Sequence, residues 1–173
     1  MNTAVSYLDE DGYEANEKAA KQAPVLFFPD TWAFAIWPVI YLFLLAFSIY
    51  QLLPEALLKT RNNDLIFNKI SIAFFVHRIL SMIWTNVFRE GLFFEGMLLV
   101  LGPMLCALWA MVHTLRETKL NWAEYITMRI GFSIYAGWQT AATIVGITQW
   151  LKVDVIKNSE SEVAWACVMI WVA

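Results

Sequence analysis

The segment Thr31–Leu53, TWAFAIWPVIYLFLLAFSIYQLL, contains no charged residue and is the strongest indication of the fold. An α-helix rises about 1.5 Å per residue and the hydrocarbon core of a bilayer is about 30 Å thick, so about 20 apolar residues cross it. The stretch therefore predicts a transmembrane helix, which Asp30 or Thr31 caps and Pro54 ends. Pro38 is expected about two turns inside this helix, where a proline removes a backbone donor and bends the helix.

The composition of the whole chain agrees with a membrane protein. Hydrophobic residues make up 60% of the 173 residues, charged residues make up 16%, and the mean hydropathy is +0.54. Soluble domains are about half apolar and about a quarter charged. The net charge of −3 gives no basic surface for nucleic acid. Motifs for enzymes are missing, and the two cysteines fit neither a disulfide framework nor a zinc site. We therefore predict no enzymatic activity, no catalytic residues and no metal site.

Further apolar segments predict an all-α integral membrane protein built as a five-helix transmembrane bundle. The predicted spans are 31–53, 65–88, 92–114, 124–151 and 163–173. The last of these is too short to cross a bilayer, so the fifth helix is expected to be incomplete in this chain. Residues 1–30 are predicted to be an acidic polar tail, and residues 31–173 the membrane domain. The lysines and arginines are divided almost evenly between the two sides, so the positive-inside rule does not determine the orientation. The predicted location is an organellar inner membrane or a bacterial plasma membrane.

Three ionisable residues inside the predicted spans are candidates for function. His77 and Arg78 lie near the middle of the second span, and Glu95 lies near the start of the third. A charge inside a bilayer is costly unless it is paired or hydrated, so such residues often mark functional sites. Arg78 and Glu95 are expected to differ in depth by roughly 10 Å, which a long arginine side chain partly spans. Two interpretations stay open for Arg78 and Glu95. They are either a structural ion pair or two interfacial charges, or they form the polar wall of a ligand cavity. A proton-coupled carrier that uses His77, Arg78 and Glu95 is a third hypothesis.

Eight of the nine tryptophans fall into two groups by their position in the spans. Those near span ends are typical of an interfacial belt, namely Trp32, Trp122, Trp150 and Trp165. Those further inside suit the interior of a bundle, because a buried indole N–H needs a partner, namely Trp37, Trp84, Trp109 and Trp138. An aromatic-lined concavity with few polar groups fits a flat apolar ligand, and ordinary packing of large side chains is the alternative.

Two runs of sequence carry a family resemblance. FPDTWAFAIWPVIY at 28–41 and FSIYAGWQTAATI at 132–144 resemble the first and fourth helices of the tryptophan-rich sensory proteins, members of the translocator protein (peripheral benzodiazepine receptor) family. Pro38 stands where the family has glycine. The resemblance implies a five-helix bundle that binds tetrapyrroles, sterols or related apolar ligands and often dimerises. It also implies that Trp37 and Trp138 line the cavity, with Tyr135 and Trp84 as neighbours.

Two functions remain open from the sequence. The first is a translocator-type membrane protein, sensory or transport-related, that binds a tetrapyrrole or a sterol-like lipid without a covalent cofactor. The second is a non-catalytic accessory subunit of a larger respiratory or photosynthetic membrane complex. Small residues four apart, Gly137 with Ala141 and Ala142 with Gly146, favour close approach of another helix. The expected partners are therefore the bilayer, an apolar small molecule, and either a second copy or a larger complex, with no nucleic acid.

Overall fold

The computed structural model describes Val25, residues 31–54, residues 60–155 and Val163. Every secondary-structure element in these residues is helical, which confirms the all-α part of the predicted fold for this part of the chain. The predicted tail at 1–30, apart from Val25, lies outside the described residues. The predicted fifth span at 163–173, apart from Val163, also lies outside them.

The uncharged first stretch forms a 3₁₀ turn at Thr31–Ala35 and then helix α1 at Ile36–Leu52. Pro38 consequently lies in the first turn of α1, where proline is tolerated, and not two turns inside the α-helix as predicted. Arg61 Nη1 donates to the carbonyl oxygen of Leu53 at 2.6 Å. This side chain satisfies a carbonyl that the helix end leaves without a partner and places a cation at the negative end of the helix.

The second and third helices follow one another with a short turn between them. The second begins with a π-helical segment at Asp64–Ile70 and continues as α2 at Ser71–Arg89. Gly91 has a φ of 74°, a left-handed conformation that glycine adopts easily, and the chain then enters α3 at Phe93–Arg116. In the described part of the chain, three helices are long and apolar enough to cross a membrane: Trp32–Leu52, Asp64–Arg89 and Phe93–Arg116.

The fourth helical segment carries several buried polar side chains. It consists of Trp122–Glu124, a π-helical segment at Tyr125–Ile130, helix α4 at Gly131–Trp150 and a final π-helical segment at Leu151–Val155. It covers the predicted span 124–151, but it is not among the three helices that are long and apolar enough to cross a membrane. The buried polar side chains of α4 are Gln139, Thr143, Thr148 and Gln149. They make this helix the place to look for a site.

The described residues divide into two compact units. The first unit contains 31–54, 60–77 and 104–139, and the second contains 78–103 and 140–155. In the core of the first unit, the ring of Phe47 lies edge-on to Phe74 and Phe132, with centroids 5.3 and 5.1 Å apart. In the second unit, a Cβ added to Gly102 would lie 2.6 Å from Leu80 Cδ1, so a glycine at this position permits α2 and α3 to pack closely.

Candidate ligand-binding site

A buried polar group lies half-way along the helices of the first unit. We call it the mid-span group; it consists of His77, Tyr135 and Gln139, which are 2%, 2% and 6% exposed. His77 is the midpoint of the helical run Asp64–Arg89. Tyr135 and Gln139 are one turn apart on α4, so both side chains project from the same face of that helix.

Hydrogen bonds join the three side chains of the mid-span group. Gln139 Nε2 donates to Tyr135 Oη at 2.9 Å, and Tyr135 Oη forms a hydrogen bond with His77 Nε2. The imidazole tautomer decides which of these two atoms donates. The rings of His77 and Tyr135 meet edge-on, with centroids 4.8 Å apart.

An aromatic cluster in the same unit joins α1 to α4 and consists of Phe34, Trp37, Tyr41 and Trp138. Trp138 lies edge-on to both Phe34 and Trp37 with centroids 5.7 Å apart, and Trp37 stacks on Tyr41 at 5.4 Å. Trp138 Nε1 is buried and has no hydrogen-bond partner. A buried donor without an acceptor costs about 1–3 kcal/mol, so this N–H is a place where a ligand oxygen would be stabilised.

The four predicted ligand-binding residues are distributed over both units. Trp37, Tyr135 and Trp138 lie in the first unit, where Trp37 contacts Trp138 and Tyr135 belongs to the mid-span group. Trp84 lies in the second unit, where its ring stacks on Phe88 with centroids 5.1 Å apart. A Cβ added to Gly96 would be 3.9 Å from Trp84 Nε1, so the indole packs close to the start of α3.

The three predicted ionisable residues have separate surroundings. His77 is buried in the mid-span group, Arg78 is half-buried and Glu95 is exposed. Arg78 and Glu95 both lie in the second unit and form no salt bridge with each other, although both are described. Glu95 lies in the first turn of α3, whereas Arg78 lies about three turns before the end of α2. The expected ion pair is therefore replaced by an exposed carboxylate and a half-buried guanidinium.

Sequence analysis did not predict a second buried polar group of the first unit. We call it the anchor group; it consists of Tyr50, Asn62, Asn121 and Glu124. Glu124 is fully buried, and its Oε1 accepts from the backbone N–H of Asn62 at 2.6 Å and from Tyr50 Oη at 3.3 Å. Its Oε2 accepts from the backbone N–H of Asn121 at 3.0 Å, which completes a capping box at the start of the fourth segment. The spacing Asn121-x-x-Glu124 was the signal that would have indicated it.

Sequence analysis did not identify Gln139 either, because an uncharged amide in an apolar stretch does not by itself indicate a site. Its spacing of four residues from Tyr135 was the available signal, since residues four apart on a helix are neighbours. Within the described residues, no group of three or more histidine, cysteine or acidic side chains is placed to hold a metal ion. The described side chains of the site offer hydrogen bonding and contact with flat aromatic surfaces.

The fold and the site define an integral membrane protein of apolar helices, with an aromatic cluster and a buried polar group inside one unit. A sequence model of the family described as TSPO-like protein matches residues 1–173, and the chain belongs to this family of translocator-type membrane proteins. No curated protein and no solved structure gave a match to the chain.

Proposed function

We propose that this protein binds a flat apolar ligand, a tetrapyrrole or a sterol-like molecule, between the aromatic cluster and the mid-span group of the first unit. Binding without chemical turnover is the proposed activity, in a sensory or transport role. The residues proposed to contact the ligand are Trp37, Tyr135 and Trp138. Family membership supports the translocator type, and the contacts of Trp138 support the position.

The observation that carries the proposal is the indole N–H of Trp138. It is buried without a partner, beside two aromatic rings at 5.7 Å and one residue before Gln139 of the mid-span group. Ligand sites are typically apolar walls with a few polar groups that fix orientation. A flat ligand placed against these rings gains apolar contact, and an oxygen on its edge gives the indole its missing acceptor.

The test is a titration of the full chain in detergent with a free-base porphyrin, followed by porphyrin absorbance. We expect saturable binding that Trp138→Phe weakens about tenfold, which is the loss of one well-placed hydrogen bond. Trp122→Phe is the matched control, because it also removes one indole, and Trp122 is 80% exposed and outside the aromatic cluster. A linear signal that never saturates means partition into the micelle and contradicts the proposal.

The accessory-subunit function keeps one observation in its favour. Gly137 is exposed in the middle of α4, and a Cβ added there meets no atom within 4 Å. Open small-residue surfaces on membrane helices allow a second helix to approach closely. The native mass after gentle extraction separates the two functions. A species of one or two copies supports the binding protein, and migration with a much larger complex supports the subunit.

A further inference from the structure

Arg78 lies near the middle of a helix that is long enough to cross the bilayer. The helical run Asp64–Arg89 has 26 residues, which corresponds to about 39 Å, and Arg78 lies about 2 Å from its midpoint. With this run centred on a hydrocarbon core of about 30 Å, the backbone of Arg78 is roughly 13 Å from the nearer headgroup layer. A lone charge at this depth is strongly disfavoured, so the guanidinium needs a partner inside the membrane.

The described part of the chain offers Arg78 no such partner. Its guanidinium forms no hydrogen bond, ion pair or ring contact with any residue that the structure describes, although it is half-buried. Two other arginines are satisfied within the chain: Arg61 donates to the carbonyl oxygen of Leu53 at 2.6 Å, and Arg129 to that of Thr114 at 2.7 Å. An arginine stays protonated at all accessible pH values, so Arg78 does not lose its charge instead.

The surface of α2 beside Arg78 is open and apolar. Phe75 is 65% exposed, and Ile79 and Met82 are also exposed. Residues three, four and seven apart lie along one side of a helix, so these three side chains form a strip that Arg78 borders. We call the strip and Arg78 together the arginine face. Lipid tails contain no acceptor for a guanidinium, whereas another transmembrane helix brings its side chains to this depth.

We propose that the arginine face binds a transmembrane helix of another protein, and that this helix carries an aspartate or a glutamate near the middle of the bilayer. The guanidinium and the carboxylate together are neutral, and an arginine holds a carboxylate with two parallel hydrogen bonds. The exposed apolar side chains of the arginine face then pack against the partner helix on either side of this ion pair.

A second copy of this chain does not supply that carboxylate. In α4 and in the three helices that are long and apolar enough to cross a membrane, the carboxylates are Asp64 and Glu95. Both lie in the first turn of their helical segment, and so near a membrane surface rather than at the depth of Arg78. A lipid phosphate also lies in the headgroup layer, outside the hydrocarbon core. Charge and depth together therefore favour a helix from a different protein.

The experiment uses a poly-leucine transmembrane peptide with one glutamate at its centre as the probe. The full chain is reconstituted in phosphatidylcholine vesicles, and energy transfer between labels on the chain and on the peptide measures their association. The comparison peptide has glutamine in place of the glutamate. We expect the glutamate peptide to associate at least about tenfold more tightly with the unaltered chain, because it alone forms the ion pair.

Charge variants of Arg78 test whether this residue causes the preference. Arg78→Gln should make the two peptides associate equally, and Arg78→Glu should favour a peptide with a central lysine instead. Arg116→Gln is the matched control, because it also removes one arginine, and Arg116 is exposed in the last turn of α3. We expect this control to retain the preference for the glutamate peptide.

A stability measurement shows whether Arg78→Gln still folds. In detergent and without a partner, this variant should unfold at the same denaturant concentration as the unaltered chain or at a higher one. The reason is that it loses a half-buried charge that has no partner among the described residues. Circular dichroism follows the transition. A clearly earlier transition would mean that the chain itself holds the guanidinium, and it would overturn the proposal.

The remaining outcomes are also decisive. Equal association of the glutamate and glutamine peptides with the unaltered chain overturns the proposal, and so does a preference that Arg78→Gln retains. Loss of the preference when phosphatidylserine is added to the vesicles assigns the arginine face to a lipid headgroup and overturns it as well. Arg78 belongs to the second unit and the proposed porphyrin contacts to the first, so each proposal fails in its own titration.

Discussion

Two tyrosines of the first unit have similar hydrogen bonds and different surroundings. Tyr50 Oη accepts from Asn121 Nδ2 at 2.9 Å and donates to Glu124 Oε1 at 3.3 Å. Tyr135 Oη accepts from Gln139 Nε2 and forms a hydrogen bond with His77 Nε2. In both groups, an amide, a phenol and a titratable side chain stand in a row inside the protein.

Glu124 of the anchor group holds the backbone as well as a tyrosine. It accepts two backbone N–H groups, from Asn62 and Asn121. Beside the mid-span group, a buried N–H without a partner lies on Trp138. We therefore expect the anchor group to stabilise the fold, whereas the proposed function gives the mid-span group contact with a ligand.

The largest expected effect comes from breaking the anchor group. Glu124→Ala should lower the free energy of unfolding by about 3 kcal/mol, because two buried backbone donors and one hydroxyl lose their acceptor. Unfolding in detergent, followed by circular dichroism, measures it. Glu124→Gln retains one carbonyl oxygen and should cost less. An unchanged unfolding transition in Glu124→Ala would show that this group is not an anchor.

The matched tyrosine pair gives the next effect. Tyr50→Phe should lower the free energy of unfolding by about 2 kcal/mol and Tyr135→Phe by about 1 kcal/mol, since a bond to a carboxylate is stronger than a bond to a neutral ring. The order of the two variants should be reversed for porphyrin affinity: Tyr135→Phe should lower the affinity, and Tyr50→Phe should leave it unchanged. Equal effects of the two variants on both measurements would remove the distinction between the groups.

Trp138→Phe tests whether the aromatic cluster belongs with the mid-span group in function. We expect the free energy of unfolding to change by less than about 1 kcal/mol, because the variant loses apolar area and also loses a buried donor without a partner. Ligand affinity should still fall about tenfold, as measured by the porphyrin titration. A large loss of stability with unchanged affinity would assign Trp138 to packing alone.

The smallest expected effect is that of Gly137→Ala. A Cβ added at Gly137 meets nothing within 4 Å, so the variant should gain up to about 1 kcal/mol of stability from helix propensity. Gly131→Ala is the control on the same helix, because its Cβ would lie 2.9 Å from Phe43 Cβ and should destabilise the protein. Thermal unfolding of both variants checks the sign. Destabilisation by Gly137→Ala would mean that another helix covers this face.

Local sequence patterns predicted the helices, but they did not predict which side chains the packed helices bring together. The uncharged run after Asp30 predicted the first membrane helix, and its five leading residues form a 3₁₀ turn that moves Pro38 to the first turn of α1. Residue spacing suggested an ion pair between Arg78 and Glu95. Spacing gives the depth of a residue along its helix but not the direction in which the helix turns that residue. In the structure, Glu95 is exposed. Ligand roles for Trp37, Trp84, Tyr135 and Trp138 remain predictions.

Apolar length and family motifs are local properties of the chain, so the amino-acid sequence was sufficient to identify a helical membrane protein of the TSPO-like family. The packing of the helices was needed to show which polar side chains meet. His77 and Tyr135 are 58 residues apart, and Tyr50 and Glu124 are 74 residues apart. A helix that is apolar on most sides has no strong pattern to fix its rotation, so these contacts depend on how the helices pack against one another.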